Sequence, residues 1–295
     1  MPTLLSFGHG YSARALGARL PGWRVIGTVR SEAKAGMLRA EGIEARVWPG
    51  ADLTPDIAAA THLLTSVAPD AAGDPVLRDW GGAIAAAAPR LAWAGYLSTT
   101  GVYGDHGGAW VDEDTPPAPL SERGRARVAA EAAWRAVPGL PVHVFRLAGI
   151  YGPGRGPFEK VRDGSARRIV KAGQVFSRIH VDDIAGALLA SMAAPEPGAI
   201  YNVCDDEPAP PQDVIGHAAT LLGLPPPPEV PYEAADLGPM ARSFYAESKR
   251  VRNDRLKALG WRPRYPGYRE GLAAILAAEC EGEGGSAQSP SGSAK

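Results

Sequence analysis

The feature that most constrains the fold of this chain is the alternation of short apolar runs with helical patterns over its first half. The pattern predicts strands near residues 3–7, 23–29, 44–48, 61–67, 91–98 and 141–147, with helices ending near 20, 40, 88 and 136. Strands separated by helices pair in parallel, because each connection crosses one face of the sheet. We therefore expect an α/β fold with a Rossmann-type, doubly wound parallel sheet.

Beyond Gly149 the segments become shorter and richer in Pro and Gly. The pattern there predicts a strand near 200–203, a stiff linker at 225–228, and helices near 181–192, 212–222, 247–259 and 268–278. We expect a Rossmann domain over residues 1–150, rejoined by part of 175–203, and a smaller C-terminal substrate-binding α/β domain over 151–279. The Gly- and Ser-rich residues 280–295 are expected to form a disordered tail.

Composition argues against several classes of function. The 295 residues carry a formal net charge of −1, which gives no basis for binding nucleic acid or a membrane surface. No apolar stretch approaches the roughly 20 residues that span a bilayer. The two cysteines, Cys204 and Cys280, lie far apart, which suits a reducing compartment. We therefore expect a cytoplasmic protein that acts on a small-molecule substrate.

The turn after the first predicted strand reads Gly8-His9-Gly10-Tyr11-Ser12-Ala13, which is the pattern G-x-G-x-x-A. The first glycine permits a tight turn, the second lets the backbone approach a pyrophosphate, and the small Ala13 lets the helix pack close to the strand. Tyr11 and Ser12 lie at the N-terminus of the following helix, whose N–H groups add donors for the phosphates. Because the pattern stands between a strand and a helix, it predicts a dinucleotide-binding turn.

The end of the second strand predicts which dinucleotide is bound. An NAD-specific site usually carries an acidic residue there, whereas this chain carries Arg30 and Ser31, which can grip a 2′-phosphate. Arg30 can also be a solvated residue at the start of a helix. Asp52 and Leu53 follow strand three, where the adenine edge would rest, although Asp52 can equally be a helix cap. Ser66, after strand four, completes the predicted cofactor contacts.

Further motifs follow in a fixed order, namely L-S-T-T-G-V-Y-G at 97–104, R-L-A-G-I-Y-G-P-G at 146–154, R-I-H-V-D-D-I at 178–184 and Y-N-V at 201–203. With these motifs the chain resembles the extended short-chain dehydrogenase/reductase superfamily, the NAD-dependent epimerase/dehydratase group, over roughly residues 3–278. The G-x-G-x-x-A turn departs from the G-x-x-G-x-x-G of extended members, so the resemblance is to an atypical branch.

The resemblance implies a catalytic hydroxyl after strand five, where family members use a Ser or Thr to hydrogen-bond the reacting oxygen. That position is Thr99, with Thr100 next to it and Ser98 as an alternative. The family's Tyr-x-x-x-Lys pair should lie on the following helix. Arg123 and Arg127 occupy those two positions here, and Arg127 can still hold ribose hydroxyls.

Arg123 cannot replace the family's tyrosine as a proton shuttle. A phenol can be tuned to exchange a proton near neutrality, whereas a guanidinium has a pKa above about 12 and no acceptor lone pair. Three interpretations stay open. Another group supplies the proton, with Tyr103, Tyr151, His106 and a water chain as candidates; or the substrate carries a carboxylate that Arg123 or Arg127 clamps, with chemistry that needs no phenol; or the fold keeps its cofactor and has lost turnover.

We predict an NAD(P)-dependent oxidoreductase acting on a small carbonyl or alcohol, with NADP as cofactor and NAD as the alternative. Two other functions stay open: a non-catalytic NADP(H)-binding regulatory protein and a sugar-nucleotide epimerase or dehydratase. Against the latter, Phe176 stands where such relatives commonly carry a diphosphate-binding Arg. We interpret His180, Asp182 and Asp183 as a helix start and expect no metal site. The resemblance leaves a homodimer open.

Overall fold

The computed structural model describes the backbone of residues 1–285 and the side chains of residues 1–281. Its strands are, in chain order, β1 (Thr3–Phe7), β2 (Arg24–Val29), β3 (Glu44–Val47), β4 (His62–Thr65), β5 (Trp93–Thr99), β6 (Trp110–Val111), β7 (Val142–Leu147), β8 (Gly149–Tyr151), β9 (Arg168–Val170), β10 (Arg178–His180), β11 (Ile200–Val203), β12 (Glu229–Pro231) and β13 (Arg250–Val251). Its helices are α1 (Tyr11–Gly17), α2 (Glu32–Ala40), α3 (Thr54–Ala59), α4 (Pro75–Ala87), α5 (Glu122–Arg135), α6 (Phe158–Arg162), α7 (Val181–Ala193), α8 (Pro211–Leu221), α9 (Pro239–Tyr245), α10 (Asp254–Ala258) and α11 (Tyr268–Gly285).

A parallel sheet of seven strands organises the described part of the chain, in the order β11-β7-β5-β4-β1-β2-β3. On β1, Leu5 is paired with Ile26 of β2 on one side and with Leu63 of β4 on the other. The strand order reverses direction between β1 and β4, and such a switch point is where open α/β sheets bind ligands. The predicted α/β, doubly wound fold is confirmed.

Both faces of this sheet are covered. Successive residues of a strand point to opposite faces, so Leu4 joins the core beneath α1 and α7, while Leu5 joins the core beneath α3, α4 and α5. Neither leucine has exposed surface, and burying such a side chain contributes about 2 kcal/mol. The central strands therefore read as continuous apolar runs, which is why their positions could be predicted.

The second half of the chain builds a smaller α/β part with two pairs of parallel strands, β8 with β10 and β9 with β12, and its β13 pairs with β6 from the first half. Its apolar core joins α6, α8 and α11 through Phe158, Val214 and Leu272. At β11 the chain returns to the large sheet beside β7. The division at residue 150 and the substrate-binding role of this part stay predictions.

Three local predictions require correction. The helix predicted over 247–259 is replaced by β13 and the short α10, because the Arg250 N–H bonds the Ala109 carbonyl at 2.9 Å in a strand pairing. Helices α3 and α9 were not predicted from the pattern. Helix α11 continues to Gly285, so the first residues of the predicted tail are helical. The remaining tail residues, 286–295, lie outside the described part of the chain.

Candidate functional site

The carboxyl ends of β1 and β4 meet around Gly8. The φ angle of Gly8 is +73°, and its N–H donates to the Thr28 hydroxyl at 2.8 Å. The Ser66 hydroxyl donates to the Gly8 carbonyl. A Cβ on Gly8 would lie 3.0 Å from Ser66 Oγ and 3.1 Å from Val67 Cγ2. Only glycine satisfies both the backbone conformation and this close approach.

Gly10 meets the steric requirement of a pyrophosphate site. A Cβ built there has only the Gly8 carbonyl oxygen nearby, at 3.8 Å, so it would project into open space. The φ angle of Gly10 is −100°, which other residues also adopt. Ser12 and Ala13 are buried where α1 packs on the sheet. The turn therefore leaves room for phosphates directly over its backbone.

The residues predicted to contact the adenosine part of the cofactor differ in exposure and in hydrogen bonding. Arg30 is exposed and makes no hydrogen bond with the described residues, while Ser31 caps α2 by accepting from the Lys34 N–H at 3.5 Å. Asp52 accepts from the Thr54 N–H at 2.9 Å, a hydrogen bond that lowers its pKa and holds the turn leading into α3, whose N-cap residue is Leu53. Leu53 has no exposed surface, so its side chain belongs to the core and cannot contact adenine.

The predicted catalytic hydroxyls lie where β5 ends. Thr99 Oγ1 accepts from the Gly101 N–H at 3.1 Å and so begins a 3-10 turn over Thr100–Tyr103. Both Thr99 and Thr100 are half-buried. Since Thr99 Oγ1 accepts from the backbone, its own proton is available for an oxygen outside the turn.

Arg127 on α5 reaches across to the sheet. Its Nη1 donates to the Leu97 carbonyl at 2.9 Å, to the Tyr96 hydroxyl at 3.0 Å and to the Val67 carbonyl at 3.5 Å. Val67 belongs to the loop that packs on Gly8, so Arg127 and the predicted phosphate turn border the same loop. One helical turn earlier, Arg123 is exposed and pairs with none of the described residues.

Tyr103 requires a correction, because it lies in a buried polar network rather than at the cleft. Its hydroxyl donates to Asn202 Oδ1 at 2.8 Å and accepts from Arg146 Nη1 at 3.0 Å. Arg146 also pairs with Glu131 at 2.8 Å, and the Ser98 hydroxyl donates to the same carboxylate. Burial raises the pKa of Tyr103 to about 12. The network ties α5 to β5, β7 and β11 and leaves neither Tyr103 nor Ser98 accessible to substrate.

The other predicted proton donors, Tyr151 and His106, also make contacts within the fold, as does Tyr11 of the predicted phosphate turn. Tyr151 is buried and donates to the Gly267 carbonyl at 3.3 Å, and burial raises its pKa. Tyr11 donates to the Pro153 carbonyl at 2.9 Å, and burial again raises its pKa. His106 Nε2 lies 3.1 Å from the Tyr103 carbonyl oxygen. Burial therefore moves the pKa values of Tyr151 and Tyr11 away from neutrality.

The His180–Asp183 segment forms a helix start. His180 Nδ1 accepts from the Asp182 N–H at 3.2 Å at the beginning of α7. Asp183 accepts from the N–H groups of Arg264 and Tyr265, at 2.6 and 3.1 Å, which fastens the segment before α11 to α7. Within the described residues, no group of His, Cys, Asp and Glu is placed to hold a metal ion, and no helix has the length and apolarity to cross a membrane.

A depression of about 640 Å³ lies away from these residues. It is bordered by Pro138, Gly139, Pro197 and Gly198, before β7 and β11 begin. Ligands of open α/β sheets bind at the opposite, carboxyl ends of the strands. We therefore place the candidate site at the Gly8, Thr99 and Arg127 edge rather than in this depression.

Sequence reasoning missed three contributors to that edge. Thr28 holds Gly8, Val67 packs on it, and Gly124 lets α5 approach the sheet, since a Cβ there would lie 3.3 Å from the Gly101 carbonyl oxygen. A polar Thr inside a buried strand was a signal for the first. The other two depend on contacts between distant segments.

Comparison with known sequences gives partial matches. Residues 84–204 match the family model described as the NAD dependent epimerase/dehydratase family. A Streptomyces sp. protein named 3-diazoavenalumate denitrifying reductase is 38% identical over 141 residues, which are 44% of this chain and 45% of that protein. Protein YeeZ of Escherichia coli strain K12 is 36% identical over 147 residues, 49% of this chain and 50% of YeeZ. The chain thus spans about half the length of these curated relatives.

Comparison with solved structures covers nearly the whole chain. A functionally unknown conserved protein from Silicibacter pomeroyi DSS is 61% identical, with a TM-score of 0.89 over 95% of this chain and 99% of that one. UDP-glucuronic acid 4-epimerase from Bacillus cereus, solved in complex with NAD, is 16% identical, with a TM-score of 0.72 over 93% of this chain and 96% of that one. The second likeness concerns the fold alone.

Proposed function

We propose, on the premise that this chain belongs to the NAD-dependent epimerase/dehydratase family, that it is an NAD(P)-dependent oxidoreductase of the short-chain dehydrogenase/reductase type acting on a small substrate. The observation that carries the proposal is the loop Ser66–Val67, which packs on Gly8 and accepts a hydrogen bond from Arg127. A turn with room for phosphates and a cation at the family's Lys position therefore border one edge of the sheet.

The residues present fit a nicotinamide dinucleotide. Gly8 and Gly10 would lie under the pyrophosphate, and Arg127 would hold the ribose next to the nicotinamide. Arg30, exposed and unpaired among the described residues, would take a 2′-phosphate, with Ser31 beside it; this favours NADP over NAD. When bound, the cofactor supplies or accepts a hydride.

The chain's own residues would orient the substrate. Thr99, held by the Gly101 N–H, would donate its hydroxyl proton to the reacting oxygen. Arg123, exposed on the first turn of α5, would hold an anionic group of the substrate. Neither group transfers a proton readily at neutral pH, so proton exchange would fall to water or would not be needed.

A second candidate is the reduction of a diazo compound, favoured by one specific observation. The Streptomyces relative is named for denitrifying reduction of 3-diazoavenalumate. A diazonium group carries a positive charge, so a hydride replaces dinitrogen and leaves a neutral carbon without any proton from the protein. Such chemistry would suit a site in which Arg123 stands in place of the phenol. The substrate in that relative's name is a carboxylate, which Arg123 could bind as an anion.

Two other functions make different predictions. A sugar-nucleotide epimerase or dehydratase would be stabilised by UDP- or dTDP-sugars in a melting experiment, whereas Phe176 in place of the diphosphate-binding Arg argues against that binding. A non-catalytic NADP(H)-binding protein would bind the cofactor but convert no substrate. The non-catalytic function would be eliminated if the chain converts any small carbonyl or diazo substrate and Thr99→Val abolishes that turnover.

The first test is a titration of the ligand-stripped chain with NADPH and NADH, followed by cofactor fluorescence. We expect binding with NADPH preferred. Gly10→Asp should abolish it while keeping the melting temperature, because the new side chain meets open space in the free protein. Gly81→Asp, on α4, is the matched control, because a Cβ there likewise meets no steric clash and has no neighbour within 4 Å. Binding by Gly10→Asp, or no binding by the parent chain, would overturn the proposal.

A further inference from the structure

The smaller part of the chain contains a separate cavity of about 280 Å³ between β8, β10, α6, α8 and α11. Tyr151, Val214, Tyr268 and Leu272 form apolar walls, and Arg155 and Arg178 bring two guanidinium groups. The lining includes neither Thr99 nor any residue of the Gly8 turn. Its volume lies just below the range of small-molecule sites, which begins at about 300 Å³.

Arg178 brings a positive charge into this cavity without a counter-ion. Its Nη1 donates to the carbonyls of Phe176 and Ala209, at 2.9 and 3.0 Å. Among the described residues, Nε and Nη2 of Arg178 bind no acceptor, and no carboxylate lies within 4.0 Å of the guanidinium. Two of its three nitrogens therefore remain for a ligand.

Asp205 exerts the largest electrostatic attraction on Arg178, but the two side chains form no ion pair. Its side chain is buried, and one carboxyl oxygen has no hydrogen-bond partner among the described residues. Burial raises the pKa of Asp205 well above its usual range, against the attraction of Arg178. No carboxylate of the described residues lies close enough to form an ion pair with the Arg178 guanidinium, and a charge withdrawn from water is stabilised when an anion pairs with it.

We propose that this cavity is a binding site for a small organic carboxylate, whose carboxylate pairs with Arg178 and whose apolar body packs against Val214, Tyr268 and Leu272. The planar fork of an arginine matches a carboxylate in geometry. A monoanion also balances the one partly buried charge of Arg178, since Arg155 is exposed and its guanidinium lies over the Tyr11 ring, 5.8 Å from the centroid. A phosphate dianion would exceed that charge.

The test is calorimetric titration of the whole chain, without nicotinamide cofactor, using benzoate and its neutral isostere benzamide. We expect benzoate to bind, and benzamide to bind about tenfold more weakly or worse, because a hydrogen-bonded charge contributes more than a neutral group. Phenylacetate with its amide repeats the comparison with a longer body. Equal binding of acid and amide, or no binding of either acid at millimolar concentration, would overturn the proposal.

Two variants locate the binding. Arg178→Met removes the charge and should weaken benzoate binding about tenfold or more. Val214→Phe fills the cavity while Arg178 stays intact, and it should also weaken benzoate binding about tenfold or more. This second variant still tests the site if Arg178→Met folds poorly. Arg167→Met, exposed and outside the cavity, is the control and should bind as the parent does. Unchanged binding in both cavity variants would contradict the site. NADPH titration of the same samples reports the proposed function separately.

Discussion

Arg127 on α5 donates a 2.9 Å hydrogen bond from Nη1 to the carbonyl oxygen of Leu97, two residues before Thr99 on β5. The bond joins the helix that carries the family's Tyr-x-x-x-Lys positions to the strand that carries the hydroxyl. The same nitrogen contacts the Val67 carbonyl. A single guanidinium thus links the three segments that border the proposed cofactor site.

Arg127→Met should weaken NADPH binding about tenfold, since it removes a cation and its hydrogen bonds at the ribose position. Arg127→Lys restores the residue type of the family and should bind within a few-fold of the parent. Fluorescence titration measures both. Arg135→Met, exposed at the far end of α5, controls for changes in the helix itself. Parent-like binding by Arg127→Met would remove this residue from the site.

Arg30→Ala should lower the affinity for NADPH about 10- to 100-fold and leave that for NADH nearly unchanged, because charge-assisted hydrogen bonds to a 2′-phosphate are lost. Arg39→Ala, on α2, is the nearby control. The ratio of the two dissociation constants is the readout. An unchanged ratio would mean that Arg30 is only a solvated residue at the start of a helix.

Thr99→Val should reduce turnover about 100-fold once a substrate is found, with NADPH binding retained. Thr99→Ser keeps both the hydroxyl and the cap on the Gly101 N–H, so it should retain most of the activity. Thr100→Val tests the other predicted hydroxyl, and the exposed Thr220→Val on α8 is the control. Loss of activity in the serine variant as well would point to a structural role for Thr99 rather than to the hydroxyl.

Arg146→Met should destabilise the protein by about 3–5 kcal/mol, because it leaves the buried Glu131 carboxylate without its partner. Urea unfolding measures the loss. The double variant with Glu131→Leu removes both charges and should recover part of it. If the single variant unfolds like the parent, the ion pair is not a significant contributor to stability.

Protonation of His9 should destabilise the fold in acid. Burial, aided by Arg14, lowers the pKa of His9 from 6.5 to about 4, and neither ring nitrogen has a partner among the described residues. The unfolded chain therefore binds the proton first. Stability is fully present above pH 6.5 and is lost as the pH falls toward 4, by about 3 kcal/mol from this group. His9→Gln should flatten that part of the stability profile, while the partly exposed His217→Gln should not.

The predicted elements that survived are those whose evidence is local. The predicted strand Thr3–Phe7 and the predicted helix Glu32–Ala40 match the structure to the residue. The reason is that the hydrophobic periodicity of a strand or helix is visible in a short stretch of sequence. The second half was predicted less well. The Arg250–Val251 strand exists only because a distant segment, Trp110–Val111, pairs with it.

The sequence by itself determined the doubly wound sheet and the Gly8–Gly10 turn, and it predicts that Arg123 and Arg127 stand at the family's Tyr and Lys positions. These follow from residue identity and spacing. Tertiary structure alone decided that Tyr103 is buried and hydrogen-bonded to Arg146. It likewise decided the burial of Leu53, the hydrogen bond of Asp52 to the Thr54 N–H and the absence, among the described residues, of an ion pair to Arg178. The physical reason is that burial and partner choice depend on side chains far apart in the chain, and no local pattern records which of them meet.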